Sequence, residues 1–417
     1  MPKKQDSQGV NPLFFVLVFV LMILLWFYAF SQAMQLYLSS EAAEMVLQAG
    51  QILKGEMSAF SRDAGFIELL IYLVSVKTAG IQPYAAVFAQ ACLFMLPSLS
   101  VLFVLITEKR FSPLSVLILI GSGSVASPER IRDDAPCAEM IAAVIIFLHF
   151  FSSLLREQSV RSWAGAAVFG AFAVRLIANR LQPAAGSDGL TGTVRAVLNA
   201  YGADFSGQKV LQPGAIKYFI AVLLLIVLVI CMFRAVCALF GQGEKCFHEI
   251  VFAFAVLLTL VYSVSMLSGN AESKKQICLW IPYGGTVLLA FALEKSAVMS
   301  MRLGQNRIPV RVLSGSALVI MICSEFSAVV FSRAAGPADR VVLYLNEHGF
   351  SYGYCEPSLR ALFTVSSKGN ITFSDMQDDP LNKFLILDEQ SVPRDPAAET
   401  VFESAPYRIL SASDAYE

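Results

Sequence analysis

The chain has 417 residues, of which 56% are hydrophobic and only 15% charged, and its mean hydropathy is +0.63. Such a composition is too apolar for an ordinary water-soluble domain and describes a polytopic membrane protein. A formal net charge of -1, with basic residues scattered in short groups, excludes a nucleic-acid partner.

Residues 1–11 are polar and carry Lys3 and Lys4, and residues 13–30 form an uninterrupted apolar run closed by Trp26, Phe27, Tyr28 and Phe30. This reads as a signal anchor with a cytoplasmic amino terminus. A cleaved signal peptide is the competing reading, but its apolar region would be shorter. Residues 37–63, YLSSEAAEMVLQAGQILKGEMSAFSRD, follow directly and are polar on one face only. Glu41, Glu44, Gln48 and Gln51 recur at helical spacing, opposite Ala42, Met45, Val46, Ala49, Ile52 and Leu53. The pattern predicts a helix lying on a membrane surface. Ser39 or Ser40 caps its start, Glu41 and Glu44 sit where the helix dipole favours anions, and Gly55 suits its end.

Residues 65–79, GFIELLIYLVSVKTA, are apolar but short and include Glu68 and Lys77. A span needs about 20 apolar residues, so this segment is expected to be a second surface helix. Later spans are expected at 84–106, 113–126, 138–155, 162–178, 215–233, 249–267, 277–293 and 311–331, which with the first makes nine. The short linkers bearing Lys109 and Arg110, Arg156 and Arg161, Arg234 and Lys245, and Lys295, Arg302, Arg307 and Arg311 then face the cytoplasm, as the positive-inside rule requires. The outer side receives residues 37–82, 127–136, 179–214, 268–276 and the tail.

From Arg340 the texture becomes that of a small α/β unit. A helix is expected at 340–348, a strand at 351–355 and a helix at 357–362; LFTVSSKGNITF reads as a hairpin, and 384–387 and 407–410 read as strands. The predicted fold is therefore an all-α polytopic bundle of about nine transmembrane helices (residues 1–335), with amphipathic surface helices in the first outer loop. A small extracytoplasmic α/β domain, residues 336–417, completes it.

No phosphate-binding glycine loop, zinc-type helix or nucleophile elbow is present, and GSGS at 121–124 lacks the following Lys and Thr or Ser. The eight cysteines include no C-x-x-C pair and read as small core residues. Three histidines, His149, His248 and His348, are too few and too dispersed along the chain to suggest a metal site. The outer loops hold the acids Glu41 and Glu44 and then pair acids with bases: Arg62 with Asp63, then ERIRDD with Arg130, Arg132 and Asp133, then Glu272 with Lys274 and Lys275. Each group by itself reads as solvated loop charge. Their convergence on one membrane face predicts a shared site for an anionic ligand or a metal.

In layout the sequence resembles the polytopic GT-C glycosyltransferases that use polyprenyl-phosphate sugars, especially bacterial relatives of protein O-mannosyltransferases. YLSSEAAEMVLQAGQILKGE occupies the place of the acidic first loop, and IELLIYLVSVKTAGIQPYAAVFAQ that of the next surface helix and second span. NAYGADFSGQ, SGNAESKKQICLWIP and the tail segment YLNEHGFSYGYCEPSLRALFTVSSKGNITF are similar to segments of bacterial relatives. Three positions depart from the family pattern. The first-loop acid is Glu41 instead of Asp, the late-loop base is Lys275 instead of Arg, and Arg62-Asp63-Ala64-Gly65 stands in place of a His-Pro-Pro-like element.

The resemblance implies inverting transfer of a sugar from a polyprenyl-phosphate donor in the cell membrane to a glycan, lipid or protein acceptor on the outer face. Glu41, supported by Glu44, would be the base. Arg62, Asp63, Arg130, Arg132, Asp133, Lys274 and Lys275 would bind substrate, and basic side chains or a divalent cation would stabilise the departing phosphate. The competing readings are a catalytically silent membrane assembly protein of the same layout and, less well matched, a lipid or solute transporter.

Overall fold

The computed structural model describes residues 12–56, 65–110, 112–120, 128–180, 247–265, 278–295, 300–303, 306–309, 335–375, 384–388 and 400–411, with single positions between them. The chain divides into two compact units, Met1–Ala29 with Leu93–Ala328, and Phe30–Cys92 with Val329–Glu417.

Among the described residues the first unit is mainly helical. Helix α1 (Pro12–Ala33) is apolar on every side, and Leu13, Leu17, Phe19, Leu24 and Phe27 are exposed. A helix of that kind is stable where its surroundings are as apolar as its side chains. Helix α2 (Ser40–Leu53) and helix α3 (Phe66–Ala79) belong to the second unit, and α4 (Pro83–Thr107) contributes its residues from Leu93 to the first. Then come α5 (Pro113–Leu119), α6 (Pro128–Asp134), a 3-10 turn (Ala135–Cys137), α7 (Ala138–Glu157), α8 (Val160–Arg180), α9 (Phe247–Ser265) and α10 (Ile281–Lys295). An antiparallel pair, β1 (Ser300–Leu303) and β2 (Asn306–Pro309), lies in what the sequence suggested was a linker.

Among the described residues, four helical stretches are long and apolar enough to cross a membrane: Pro12–Ala33, Pro83–Thr107, Arg130–Glu157 and Val160–Ile177. By length and composition this is a multi-pass membrane protein. Phe247–Tyr262 and Ile281–Phe291 are shorter apolar helices. The predicted spans at 215–233 and 311–331 fall almost wholly outside the described residues, and the one at 113–126 is described only as far as 120.

The core of the first unit joins Val101, Val104 and Leu105 of α4, Ile141 and Ile145 of α7, Phe252 and Val256 of α9, and Tyr283, Val287 and Phe291 of α10. Between lipid-embedded helices close packing matters more than exclusion of water, and small residues permit it. Helix α8 supplies them. A Cβ on Gly165 would overlap the Phe150 ring of α7, one on Gly170 would come within 2.9 Å of Phe147, and Phe150 stacks on Phe169 at 5.8 Å.

The second unit is mixed. Its tail contains α11 (Pro337–Glu347), β3 (Tyr352–Cys355), α12 (Pro357–Ser366), β4 (Thr372–Asp375), β5 (Phe384–Asp388), β6 (Thr400–Ser404) and β7 (Tyr407–Ser411). The sheet runs β4-β3-β5-β7-β6, with β3 parallel to β4 and β5, and β7 antiparallel to β5 and β6. Asp339 fixes the start of α11 by accepting from the Gly336 amide at 2.8 Å while Arg333 grips it with two nitrogens, each at 2.9 Å.

Two expectations are corrected here. LFTVSSKGNITF is a helix end followed by a strand, not a hairpin. Pro357 starts α12, and Leu359, Leu362, Phe363 and Ser366 are buried at helical spacing, so tertiary burial overrides the β-propensity of Phe363, Thr364 and Val365. Lys368 and Gly369, at φ of 58° and 75°, close the helix as Gly369 N–H bonds the Thr364 carbonyl at 2.9 Å. Likewise the apolar stripe of α2, which the pattern assigned to a membrane surface, is covered in part by protein, while Leu53 at its end stays exposed. Helices α3 and α12 pack on it, and Ala42, Ala43, Val46, Ala49 and Gly50 are buried.

Candidate functional site

The acids of the first loop keep the local geometry that their spacing implies. Ser39 caps α2 by accepting from the Ala42 amide at 3.2 Å, which places Glu41 in the first turn. Glu41 and Glu44 are both exposed on the polar face, three residues apart and so near neighbours, while the opposite face is held by α3 and α12. In α3 the buried Tyr72 phenol is pushed above its ordinary range by burial first, then by the carboxylates of Glu68 and Glu41.

The remaining predicted residues divide into described and undescribed. Arg130, on α6, pairs with Asp134 at 3.5 Å, and Asp134 also accepts from the Tyr283 hydroxyl at 3.0 Å. Asp134 and Tyr283 are buried, so part of this group is a sealed polar contact between α6 and α10, not solvated loop charge. Arg132 is exposed. Arg62, Asp63, Lys274 and Lys275 lie outside the described residues, as does the side chain of Asp133. Glu41 and Glu44 belong to the second unit, and Arg130 and Arg132 to the first.

A second polar cluster was not foreseen. Glu108, one residue beyond α4, meets His149 of α7 and His248 at the start of α9. The Glu108 Oε1 atom is 3.1 Å from His248 Nε2 and 3.4 Å from His149 Nδ1, and the two ring nitrogens are 3.3 Å apart. Arg156 donates to the other oxygen, Oε2, at 3.0 Å, and also contacts Glu157 at 2.7 Å. Burial alone would raise the Glu108 carboxyl, but the His248 hydrogen bond and the neighbouring His248, Arg156 and His149 hold it down to about 2. The two histidines read as dispersed are therefore adjacent in space although they lie 99 positions apart in the sequence.

An apolar groove of about 1030 Å³ opens among α7, α8 and α9, with Phe147, Phe151, Val174, Phe254, Tyr262 and Trp280 in its walls. Its lining and size suit an alkyl chain.

No family model matches this chain, and no curated protein matches it. Among solved structures it is similar to the apo-state crystal structure of ArnT from Cupriavidus metallidurans. The superposition covers 96% of this chain and 98% of that one, at 10% identity and a TM-score of 0.39. A superposition this loose assigns neither fold nor activity.

Proposed function

We propose that this protein is a membrane glycosyltransferase that moves a sugar from a polyprenyl-phosphate donor to an acceptor on the outer face. The observation that carries this reading is the exposed Glu41 in the capped first turn of α2, a few residues beyond the first long apolar helix. A base there needs an open approach for the acceptor and a fixed backbone. Exposure gives the first, and the packing of α3 and α12 on the opposite face gives the second.

In the proposed reaction Glu41 takes the acceptor hydroxyl proton as that oxygen bonds to the anomeric carbon. The bond from that carbon to the phosphate oxygen breaks with inversion, and its electrons leave on the polyprenyl phosphate. Glu44 supports Glu41 or helps to hold a divalent cation. Arg62, Arg132, Lys274 and Lys275 are proposed to neutralise the phosphate, with Asp63 and Asp133 orienting the sugar or the basic groups, while Arg130 is held by its pairing with Asp134. The groove among α7, α8 and α9 supports the lipid-linked character of the donor, because a polyprenyl tail needs an apolar channel beside the helices.

The test is incubation of purified protein with a panel of polyprenyl-phosphate sugars while following release of the lipid phosphate. Turnover of one donor that depends on Glu41 is expected. If no donor is turned over by well-folded protein, the silent membrane assembly reading replaces this one.

A further inference from the structure

We propose that Glu108, His149 and His248 form a binding site for one divalent transition-metal ion, with zinc the best match to the donor set. The inference is independent of the glycosyltransferase reading.

The geometry favours a shared centre over a ring of hydrogen bonds. Three ligand-type atoms, Glu108 Oε1, His149 Nδ1 and His248 Nε2, form a nearly equilateral triangle with edges of 3.1, 3.3 and 3.4 Å. Each imidazole nitrogen has a single in-plane direction, occupied by either a proton or a lone pair. Two such nitrogens and one carboxylate oxygen cannot close three good hydrogen bonds around a triangle. Three lone pairs can converge on a single ion. With zinc bonds of about 2.0–2.2 Å to nitrogen and oxygen, the edges of a tetrahedron come to about 3.3–3.6 Å, near the observed edges and wider than the edges of an octahedron of the same bonds.

The surroundings are those of a built site. Both histidine side chains are buried, at 3% and 2% exposure, and Glu108 is 7% exposed. Arg156 holds the carboxylate by the oxygen that lies outside the triangle, the outer-sphere support that ligating carboxylates usually receive. Because Arg156 is shared with Glu157, its charge is not directed at the centre alone. Phe291 stacks on His248 at 5.5 Å, and Phe103 and Phe150 contact the His149 ring at 5.7 and 5.3 Å. These rings restrict solvent and fix the imidazole planes. Two neutral nitrogens and one carboxylate oxygen suit zinc better than magnesium or calcium, which prefer oxygen throughout, and three protein ligands leave a fourth position for water. An ion here would tie together the end of α4, α7 and α9.

The experiment uses the full-length protein in detergent. Metal content is measured after purification, the metal is removed by chelation, and cobalt(II) is titrated in while its visible d–d absorption is followed. One equivalent of cobalt per chain is expected, with the intense spectrum of a tetrahedral site, bleached by one equivalent of zinc. The His149→Ala and His248→Ala variants should lose the spectrum, whereas His348→Ala should keep it. Arg156→Gln, which leaves all three ligands in place, should weaken binding by roughly 10- to 100-fold. Should either ligand variant fail to fold, the wild type, Arg156→Gln and His348→Ala still decide the matter. Absence of a stoichiometric cobalt spectrum in the wild type, equal affinity in Arg156→Gln, or a spectrum that disappears with His348 would overturn the assignment.

Discussion

The acids of α2 and the cluster at Glu108 are opposite kinds of polar group. Glu41 and Glu44 are exposed, come from one helical turn and have a shape set by local spacing. Glu108, His149 and His248 are enclosed, come from three separate segments and make sense only together. An exposed carboxylate is cheap to hold and is therefore replaceable without loss of the fold. An enclosed cluster costs desolvation unless every member has a partner, so each member bears on the stability of the others. Function that depends on access should thus be separable from folding at α2 and inseparable from it at Glu108.

The largest expected effect tests the first half of that contrast. Glu41→Gln should reduce donor turnover by roughly 10²- to 10⁴-fold, the usual contribution of a general base, while leaving the melting temperature of the purified protein unchanged. Turnover within a fewfold of wild type would remove Glu41 from the chemistry, and an equal loss in Glu44→Gln alone would transfer the role to that residue.

The second half is tested by Glu108→Gln. Breaking a buried charged pair costs about 3–5 kcal/mol, and because Arg156 is 44% exposed, water recovers part of it, so about 3 kcal/mol or less is expected. Thermal unfolding in detergent checks this. A change no larger than that of a surface substitution would show that the cluster does not hold the helices.

Tyr283→Phe asks whether the sealed contact behaves as the enclosed cluster does. It removes the hydroxyl that donates to Asp134 but leaves Arg130, so a loss of about 1–2 kcal/mol in the same unfolding measurement is expected. Ser39→Ala has the smallest expected effect, about 1 kcal/mol from loss of the cap on α2. If that loss also lowers turnover in proportion to Glu41→Gln, the position of the helix start and the chemistry are coupled, and the two regions are less different than their burial suggests.

What the sequence determined by itself was whatever repeats at short range. The apolar runs at 13–30, 84–106, 138–155 and 162–178 lie within a few residues of α1, α4, α7 and α8, because a helix long enough to cross a bilayer must be written as a continuous apolar stretch. The alternation of Glu41, Glu44, Gln48 and Gln51 with Ala42, Val46 and Ala49 gave α2 and its exposed face, and the strands at Tyr352, Phe384 and Tyr407 were equally visible.

Tertiary structure decided what covers each face and which distant residues meet. The pattern of α2 shows an apolar stripe but not whether lipid or α12 lies against it. Phe363, Thr364 and Val365 favour a strand until burial against the rest of the second unit makes a helix the better solution. Asp134 and Tyr283 are 149 residues apart, and His149 and His248 are 99 apart, so no local period links either pair. A hint was His149 itself, an ionisable ring within the apolar stretch 143–151, which is costly there without a partner. The cost of burial demands that a partner exist, and only the folded chain says which residue it is.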